Sequence, residues 1–271
     1  MMDLVIQIVN YKTKKYLSKC IESAINGLED SGISHEILIL DNGSGDDLSD
    51  LEDKYKSEAV KFYYSGKNLG FGAGHNLLAR KGESKYIFVL NPDCVVEKNS
   101  IKILFDFMEI HPEAGVCGPR IDLIGKNFFF HKKVFWPNKF IWKEFFDKFF
   151  NIKIFKNFNF IEYNPIVGSA LFIRKKAFDE VGGFDENLFL YFEEGDLCNS
   201  LKNKNYKIYF VYNSVIKHFY GKSDVSKSFK IKHFIESRRY FYKKWYGDKK
   251  AEEMLKIEDT KDRNKILEKF L

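Results

Sequence analysis

Tyr86-Ile87-Phe88-Val89-Leu90-Asn91-Pro92-Asp93 is the stretch on which the fold turns. Five apolar residues in a row read as a buried strand. The strand stops at Asn91-Pro92-Asp93, where the proline holds the turn extended and leaves a carboxylate at the strand end. Working back toward the N-terminus, Leu4 to Val9 reads as a first buried strand, Ile37 to Leu40 as a second and Lys61 to Tyr64 as a third. Between them, Leu17, Ile21, Ala24 and Ile25 share one helical face, and Leu77 to Lys81 belongs to a second helix. Ile101 to Ile110 is amphipathic again. Strand–helix alternation over about the first 120 residues predicts an α/β fold with a doubly wound, mostly parallel sheet.

In such a sheet, ligands bind outside the carboxyl ends of the strands. The polar clusters fall there: Asn10-Tyr11 after strand one, Asp41 in the turn Asp41-Asn42-Gly43-Ser44-Gly45 after strand two, Asn68 to Asn76 after strand three, and Asp93 after strand four. Each, taken singly, also reads as an Asx turn or helix cap.

Past residue 120 the pattern changes. Phe128 to Phe160 is rich in aromatics and lysine, and Trp142, Phe145, Phe146, Phe149 and Phe150 share one helical face. That face suits either packing on the domain or a lipid surface. Ile166 to Ile173 reads as a returning strand, Tyr206 to Ile216 as one or two more, and about the last 45 residues as charged helix.

Of the 271 residues, 45% are apolar, enough for a full core. Four scattered cysteines, Cys20, Cys94, Cys117 and Cys198, argue against a zinc cluster or disulfide framework and fit a reducing cytosol. Leu4–Val9 is too short for a signal peptide, and no apolar run approaches the ~20 residues of a membrane span. The expected place is the cytoplasm, with peripheral contact at the inner membrane face. The net charge of +6 is uneven. Lys126 to Lys156 holds eight lysines against Glu144 and Asp147, and Lys227 to Lys250 holds nine basic residues against Glu236 and Asp248. Basic residues among aromatics suit nucleic acid or an anionic membrane surface. The carboxylate rim excludes nucleic acid, since it repels phosphate unless a metal intervenes.

Four features carry chemistry. Asn68-Leu69-Gly70-Phe71-Gly72-Ala73-Gly74-His75-Asn76 is a glycine-rich strand-to-helix loop. It suits a phosphate or nucleotide, but has neither the dinucleotide spacing nor the P-loop Gly-Lys-Ser/Thr. Asp93 at its strand end suits Mg²⁺ or Mn²⁺ bridging a diphosphate, or a helix cap. His218, after Val215-Ile216, is a structural histidine, a second metal ligand or a phosphate donor. Finally, Phe189-Leu190-Tyr191-Phe192-Glu193-Glu194-Gly195-Asp196 leads an aromatic run into three carboxylates. These either complement a helix dipole or do chemistry, since charge beside so much apolar surface is costly otherwise.

Taken in order, Asp41-Asn42-Gly43-Ser44, the glycine loop, Asn91-Pro92-Asp93, Gly168-Ser169-Ala170-Leu171-Phe172-Ile173-Arg174, and Gly183-Phe184-Asp185-Glu186 through Glu193-Glu194-Gly195-Asp196-Leu197-Cys198 resemble family 2 glycosyltransferases. The resemblance runs over roughly residues 3 to 223 and is greatest to the bacterial rhamnosyltransferase-like branch. It implies the GT-A fold: a domain over 1–225, with a nucleotide-sugar half at about 1–120 and an acceptor half at about 121–225, followed by a basic helical tail over 226–271. It implies that Asp41 binds the nucleotide base beside Val9 and Asn10. Asn68, Gly70, Gly72, Gly74 and Asn91 would border the nucleotide-sugar. Asp93 and His218 would hold the metal, and Glu194, with Glu193 and Asp196 as alternatives, would be the general base.

Two departures stand out. Asn91 occupies a position where many relatives have Asp, and Glu194 one where many have the shorter Asp. The Gln-x-x-Arg-Trp motif of processive synthases is absent, since Ser237-Arg238-Arg239-Tyr240 does not match it. The expected activity is non-processive, inverting transfer of a sugar from dTDP-rhamnose, a UDP-hexose or UDP-galactofuranose to a glycan or lipid-linked acceptor. The competing readings are a sugar-phosphate nucleotidyltransferase, which would carry Arg and Lys in a glycine-rich loop after strand one, and a catalytically silent nucleotide-sugar-binding scaffold.

Overall fold

A computed structural model describes residues 1–56, 59–124, 160–162, 168–219 and 225–256. The expected strands of the first half form β1 (Met2–Asn10), β2 (His35–Asp41), β3 (Val60–Tyr64) and β4 (Ser84–Leu90). They lie in the order β3-β2-β1-β4 and all run parallel.

Helices cover both faces because both faces of the strands are apolar. On one side Leu4, Ile6 and Ile8 meet Leu17, Ile21 and Ala24 of α1 (Lys14–Leu28) and Leu104 and Met108 of α4 (Ser100–Ile110). On the other, Val5 and Val9 meet Leu78 of α3 (Phe71–Ala79). A short α2 (Ser49–Lys54) precedes β3.

The sheet continues past β4 through β8 (Ala170–Arg174), which is antiparallel to it. Then come β6 (Ala114–Leu123), β9 (Lys207–His218) and β5 (Cys94–Val96), with β7 (Phe160–Glu162) paired to β9. β6 and β9 are parallel, so the sheet is mostly parallel with antiparallel insertions. The face of this half is closed by Ala177 and Phe178 of α5 (Lys175–Glu180) and Leu197, Cys198 and Leu201 of α6 (Glu193–Asn203). Arg174, at the end of β8, locks the two halves together. Its guanidinium donates to the carbonyls of Met108, His111 and Ala114 at 2.9–3.0 Å, satisfying the C-terminal end of α4.

Three expectations are refined. The helix expected from Leu77 begins at Phe71, so part of the glycine run is helical. The returning strand is Ala170–Arg174, and residues 166–167 lie outside the described residues. The segment after Tyr206 is one strand with an irregularity, where pairing jumps from Pro119↔Val211 to Arg120↔Val215. Proline cannot donate to a ladder, which suits it to such an interruption. The helical face formed by Trp142, Phe145, Phe146, Phe149 and Phe150 lies outside the described residues, as do residues 220–224 and 257–271.

The basic C-terminal segment is α7 (Lys227–Tyr246), followed by a helical stretch at 248–256. It packs on the domain: Phe234, Phe241, Tyr242, Ala251 and Leu255 share a core with Leu188 and Phe192. No helix among the described residues is long and apolar enough to cross a membrane.

Candidate active site

The strand ends converge as the sheet order requires. Asn10 and Asp41 are in register at the carboxyl ends of β1 and β2. Both are buried. The Asn10 side-chain amide donates to Asp41 Oδ1 at 3.0 Å, to Ser44 Oγ at 3.3 Å and to Asp46 Oδ2 at 3.0 Å. Its carbonyl oxygen accepts from Thr13 Oγ1 at 2.7 Å. The Ser44 hydroxyl and amide N–H both donate to the Asp41 carboxylate. This fixes a carboxylate wall at the rim. Val9 lies beneath it, against α3, where a Cβ on Gly74 would come within 3.1 Å of the valine.

Asn42 joins this wall to the glycine loop. Its Nδ2 donates to Asn68 Oδ1 at 3.1 Å and to the Gly70 carbonyl at 3.0 Å, while its Oδ1 accepts from Leu69 N–H at 3.0 Å. Gly70 has φ +90°, and a Cβ there would sit 2.5 Å from the Phe189 carbonyl oxygen. Only glycine tolerates both conditions. The same carbonyl accepts from Phe71 N–H at 2.9 Å, so the loop is tied to the acidic segment's aromatic approach. Gly72 and Gly74 lie inside α3, and their close approaches are to Phe184 and Val9. Asn76 bonds the Phe184 backbone in both directions at 2.9 Å.

At the end of β4, Asp93 Oδ1 meets His218 Nε2 at 3.1 Å, both side chains buried. Strands β5 and β9 pair Cys94 with His218, which puts the Cys94 thiol on the same site. The ligand atoms of Asp93, Cys94 and His218 all lie within 4.8 Å of one another. A carboxylate, an imidazole and a thiol converging in this way fit a divalent cation, and the nitrogen donor suits Mn²⁺ better than Mg²⁺. Asn91 is half-buried on the same turn, its N–H donating to the Ser169 carbonyl at 2.9 Å.

Ser169 is the link to the acidic run. Its neighbour Gly168 lies against Glu194, where a Cβ would come 3.2 Å from Glu194 Cδ. Gly168-Ser169 thus stitches the carboxylates to the Asn91-Pro92-Asp93 turn. The buried Ser169 hydroxyl has no hydrogen-bond partner among the described residues, an orphaned polar atom between the two clusters.

Glu193, Glu194 and Asp196 occupy the first turn of α6. Two consecutive aromatics, Tyr191 and Phe192, have φ +74° just before it. Side chains rarely adopt this backbone region, and such strain gathers at functional sites. Glu193 is 2% exposed and its Oε1 has no partner among the described residues. Burial, with the Glu194 charge next in size, pushes its carboxyl well above the usual range. Burial likewise raises the half-buried Glu194.

Asp196 is engaged elsewhere. Trp245 Nε1 donates to its Oδ1 at 2.8 Å and Lys244 Nζ to its Oδ2 at 2.9 Å. Sequence reading gives no site role to Thr13, Asp46, Cys94, Lys244 or Trp245, and carries Asn42 and Ser169 only as members of motifs. Cys94 had a signal in its position next to Asp93. For Lys244 and Trp245 there was none, because only the folded chain brings them to Asp196.

The mostly parallel sheet carries a carboxylate rim, the Asp93–His218 pair and the buried glutamate pair at its strand ends, the architecture of a GT-A fold. Residues 5–182 match the profile of glycosyl transferase family 2, and the chain belongs to that family. It is 27% identical over 209 residues to the N-acetylglucosaminyl-diphospho-decaprenol L-rhamnosyltransferase of Mycobacterium tuberculosis, an alignment over 67% of this chain and 66% of that protein. To the low-salt glycan biosynthesis hexosyltransferase Agl10 of Haloferax volcanii it is 26% identical over 217 residues, 76% of this chain and 64% of the other. To the rhamnosyltransferase WbbL of Escherichia coli it is 25% identical over 251 residues, 88% and 92% of the two chains. The chain thus spans just under two thirds of the length of the Haloferax and Mycobacterium proteins. Among solved structures, S. aureus TarS 1–349 in complex with UDP-GlcNAc superposes with a TM-score of 0.59 at 16% identity, over 88% of this chain and 65% of that one.

Proposed function

We propose that this chain is an inverting, non-processive glycosyltransferase. It moves a sugar from dTDP-rhamnose or a UDP-sugar to a glycan or lipid-linked acceptor in surface polysaccharide synthesis. The observation that carries this reading is the stitch through Gly168-Ser169, which sets Glu194 beside the turn bearing Asp93. An acid-base group and a diphosphate-binding turn then share one site.

In this reading Asn10, Asp41 and Asn42 frame the nucleoside, and Asn68 and Gly70 border its diphosphate-sugar. Asp93 and His218 would hold a divalent cation, which when bound would supply positive charge to offset that of a departing nucleoside diphosphate. Glu194 accepts the proton of the attacking acceptor hydroxyl as the new glycosidic bond forms and the anomeric C–O bond to diphosphate breaks. Its raised affinity for protons improves it as a base near neutral pH. Glu193, buried beside it, makes the two carboxyls titrate as a coupled pair. Asp196, bonded to Lys244 and Trp245, serves as an anchor instead.

The relatives act as rhamnosyl- and hexosyltransferases by their names, and one is named for a lipid-linked N-acetylglucosamine acceptor, which supports the donor and acceptor classes. Thermal stabilisation measured against a panel of dTDP-rhamnose, UDP-glucose, UDP-galactofuranose and UDP-GlcNAc, with and without Mn²⁺, tests the donor assignment. At 100 times its Kd a donor adds roughly 2.7 kcal/mol, a shift of several degrees that shrinks without the metal. No shift with any nucleotide would remove the reading.

A lipid-linked acceptor lies at a membrane surface, and α7 carries a face suited to one. Lys232, Arg239 and Lys243 are exposed there, with Ile235 at 43% exposure among them, and Lys232 and Lys243 pair with Glu236 and Asp248. Sedimentation with phosphatidylglycerol vesicles should be substantial at low salt and fall steeply above 0.15 M, about where screening shortens to ~8 Å. Absence of binding at low salt would detach the membrane from the account.

A further inference from the structure

The Glu193–Glu194 pair sits between two anchors that one residue holds together. On its N-terminal side is Asp185. Lys244 Nζ lies 2.7 Å from Asp185 Oδ2, and Tyr240 OH donates to the same oxygen at 3.0 Å. On its C-terminal side is Asp196, 3% exposed in its side chain, with Lys244 Nζ 2.8 Å from Oδ1 and Trp245 Nε1 donating to that atom at 2.8 Å. One ammonium group on α7 thus closes the 12-residue stretch 185–196 around the carboxylates.

Inside that span the backbone is strained. Tyr191 and Phe192 both sit at φ +74°. A conformation that side chains disfavour persists only where its surroundings over-determine it. Those surroundings are again α7: Phe192 packs with its ring centroid 5.4 Å from Phe234 and 5.3 Å from Phe241, and Tyr191 lies 5.8 Å from Phe234. Phe189, whose carbonyl ties down Gly70 and Phe71, stacks on His233 at 4.3 Å. Polar anchors at both ends and an aromatic bed between them come from the same helix, which lies beyond the residues matched by the family profile.

We propose that α7 is a clamp that sets the geometry of the acid-base segment, with Lys244 as its positioning residue. Lys244 touches neither substrate nor metal in this scheme. It holds Asp185 and Asp196 at a separation that keeps Tyr191 and Phe192 left-handed and aims Glu194 at the site. The inference rests on the reading of Glu194 as the base, and its test separates the two.

The experiment compares Lys244→Met, Lys244→Arg and Glu194→Gln, using release of nucleoside diphosphate from dTDP-rhamnose and UDP-glucose together with dTDP and UDP affinity. Misplacing the base lowers turnover of Lys244→Met by about 10-fold or more, while nucleotide affinity changes less than about 2-fold, and Lys244→Arg recovers most of the loss. A Lys244→Met protein with wild-type turnover beside a slow Glu194→Gln protein overturns the clamp and leaves the base assignment standing. Wild-type turnover in both removes both. Equal loss in Lys244→Met and Lys244→Arg, with nucleotide affinity falling alongside, overturns positioning in favour of general destabilisation.

Amide hydrogen exchange needs no substrate and provides the second readout. Exchange across 186–196 should quicken about 10-fold in Lys244→Met while β1 keeps its protection. Unchanged protection there overturns the proposal. Should Lys244→Met not fold, Trp245→Phe removes one donor to Asp196 and keeps an aromatic ring, and is read by the same exchange criterion.

Discussion

Glu194→Gln should lower turnover by a factor on the order of 10² or more, equivalent to roughly 2.7 kcal/mol in the barrier. The substitution keeps the size and a hydrogen-bonding oxygen but removes the proton acceptor. Nucleotide affinity should hardly change, because the amide leaves the Asp41 and Asp93 clusters untouched. The pH profile carries the sign. Burial raises both carboxyls of the pair, so the folded protein holds a proton to higher pH than an ordinary glutamate. Turnover should therefore fall as pH drops through that raised range, giving an acid limb above the usual carboxylate region. Stability runs the other way. A raised folded-state value contributes most when the group is protonated, and that contribution is lost as pH rises from the ordinary glutamate value through the raised one. Steady-state kinetics across pH on the variant should show the acid limb diminished with the rate. A variant with near-normal turnover would move the role to Glu193.

Asp93→Asn should be as severe. The asparagine can still meet His218 Nε2, now 3.1 Å from Asp93 Oδ1, so the local fold should survive. What disappears is the negative charge that, on the proposed reading, would offset a divalent cation in a buried site. His218 and its neighbours would then be left to hold the cation without that charge. Turnover should fall by on the order of 10²–10³, several kcal/mol of transition-state charge stabilisation. Added Mn²⁺ should no longer strengthen nucleotide binding in a titration followed by calorimetry. Chelation of the unaltered protein should mimic the variant. An unimpaired Mn²⁺ response in Asp93→Asn would place the cation elsewhere.

How much could be read from the chain depends on which interactions are local. Strands β1, β2 and β4 announce themselves because a buried parallel strand is a largely apolar run, while the half-exposed edge strand β3 shows itself only by its short aromatic stretch, and each ends in a polar turn at the rim. The rim clusters of Asn10, Asp41, Asn68 and Asp93 follow from strand direction alone. β6 was not anticipated, because Gly115, Gly118 and Pro119 break its apolar pattern, and β5 is only three residues long. The glycine run reads in sequence as a ligand-approach loop throughout. In the fold Gly70 serves a turn, while Gly72 and Gly74 make room for Phe184 and Val9, packing partners far away in the chain.

The acidic run shows the same limit more sharply. Glu193, Glu194 and Asp196 are equivalent as letters in one helix turn. Helix geometry and distant partners then divide them. Glu193 is buried with no partner for Oε1 among the described residues, Glu194 is turned onto Gly168, and Asp196 is captured by Lys244 and Trp245 from a distant helix. Likewise the lysines of 227–250 look alike in sequence, yet Lys244 is committed to the poorly exposed Asp185 and Asp196 while Lys232 and Lys243 pair with the exposed Glu236 and Asp248.

The most direct test of the account is NMR of a single transfer reaction, following both the released nucleotide and the anomeric configuration of the new linkage. One displacement assisted by Glu194 predicts nucleoside diphosphate as the leaving group and a linkage of configuration opposite to the donor's. Release of nucleoside monophosphate, or a linkage that retains the donor's configuration, would contradict it.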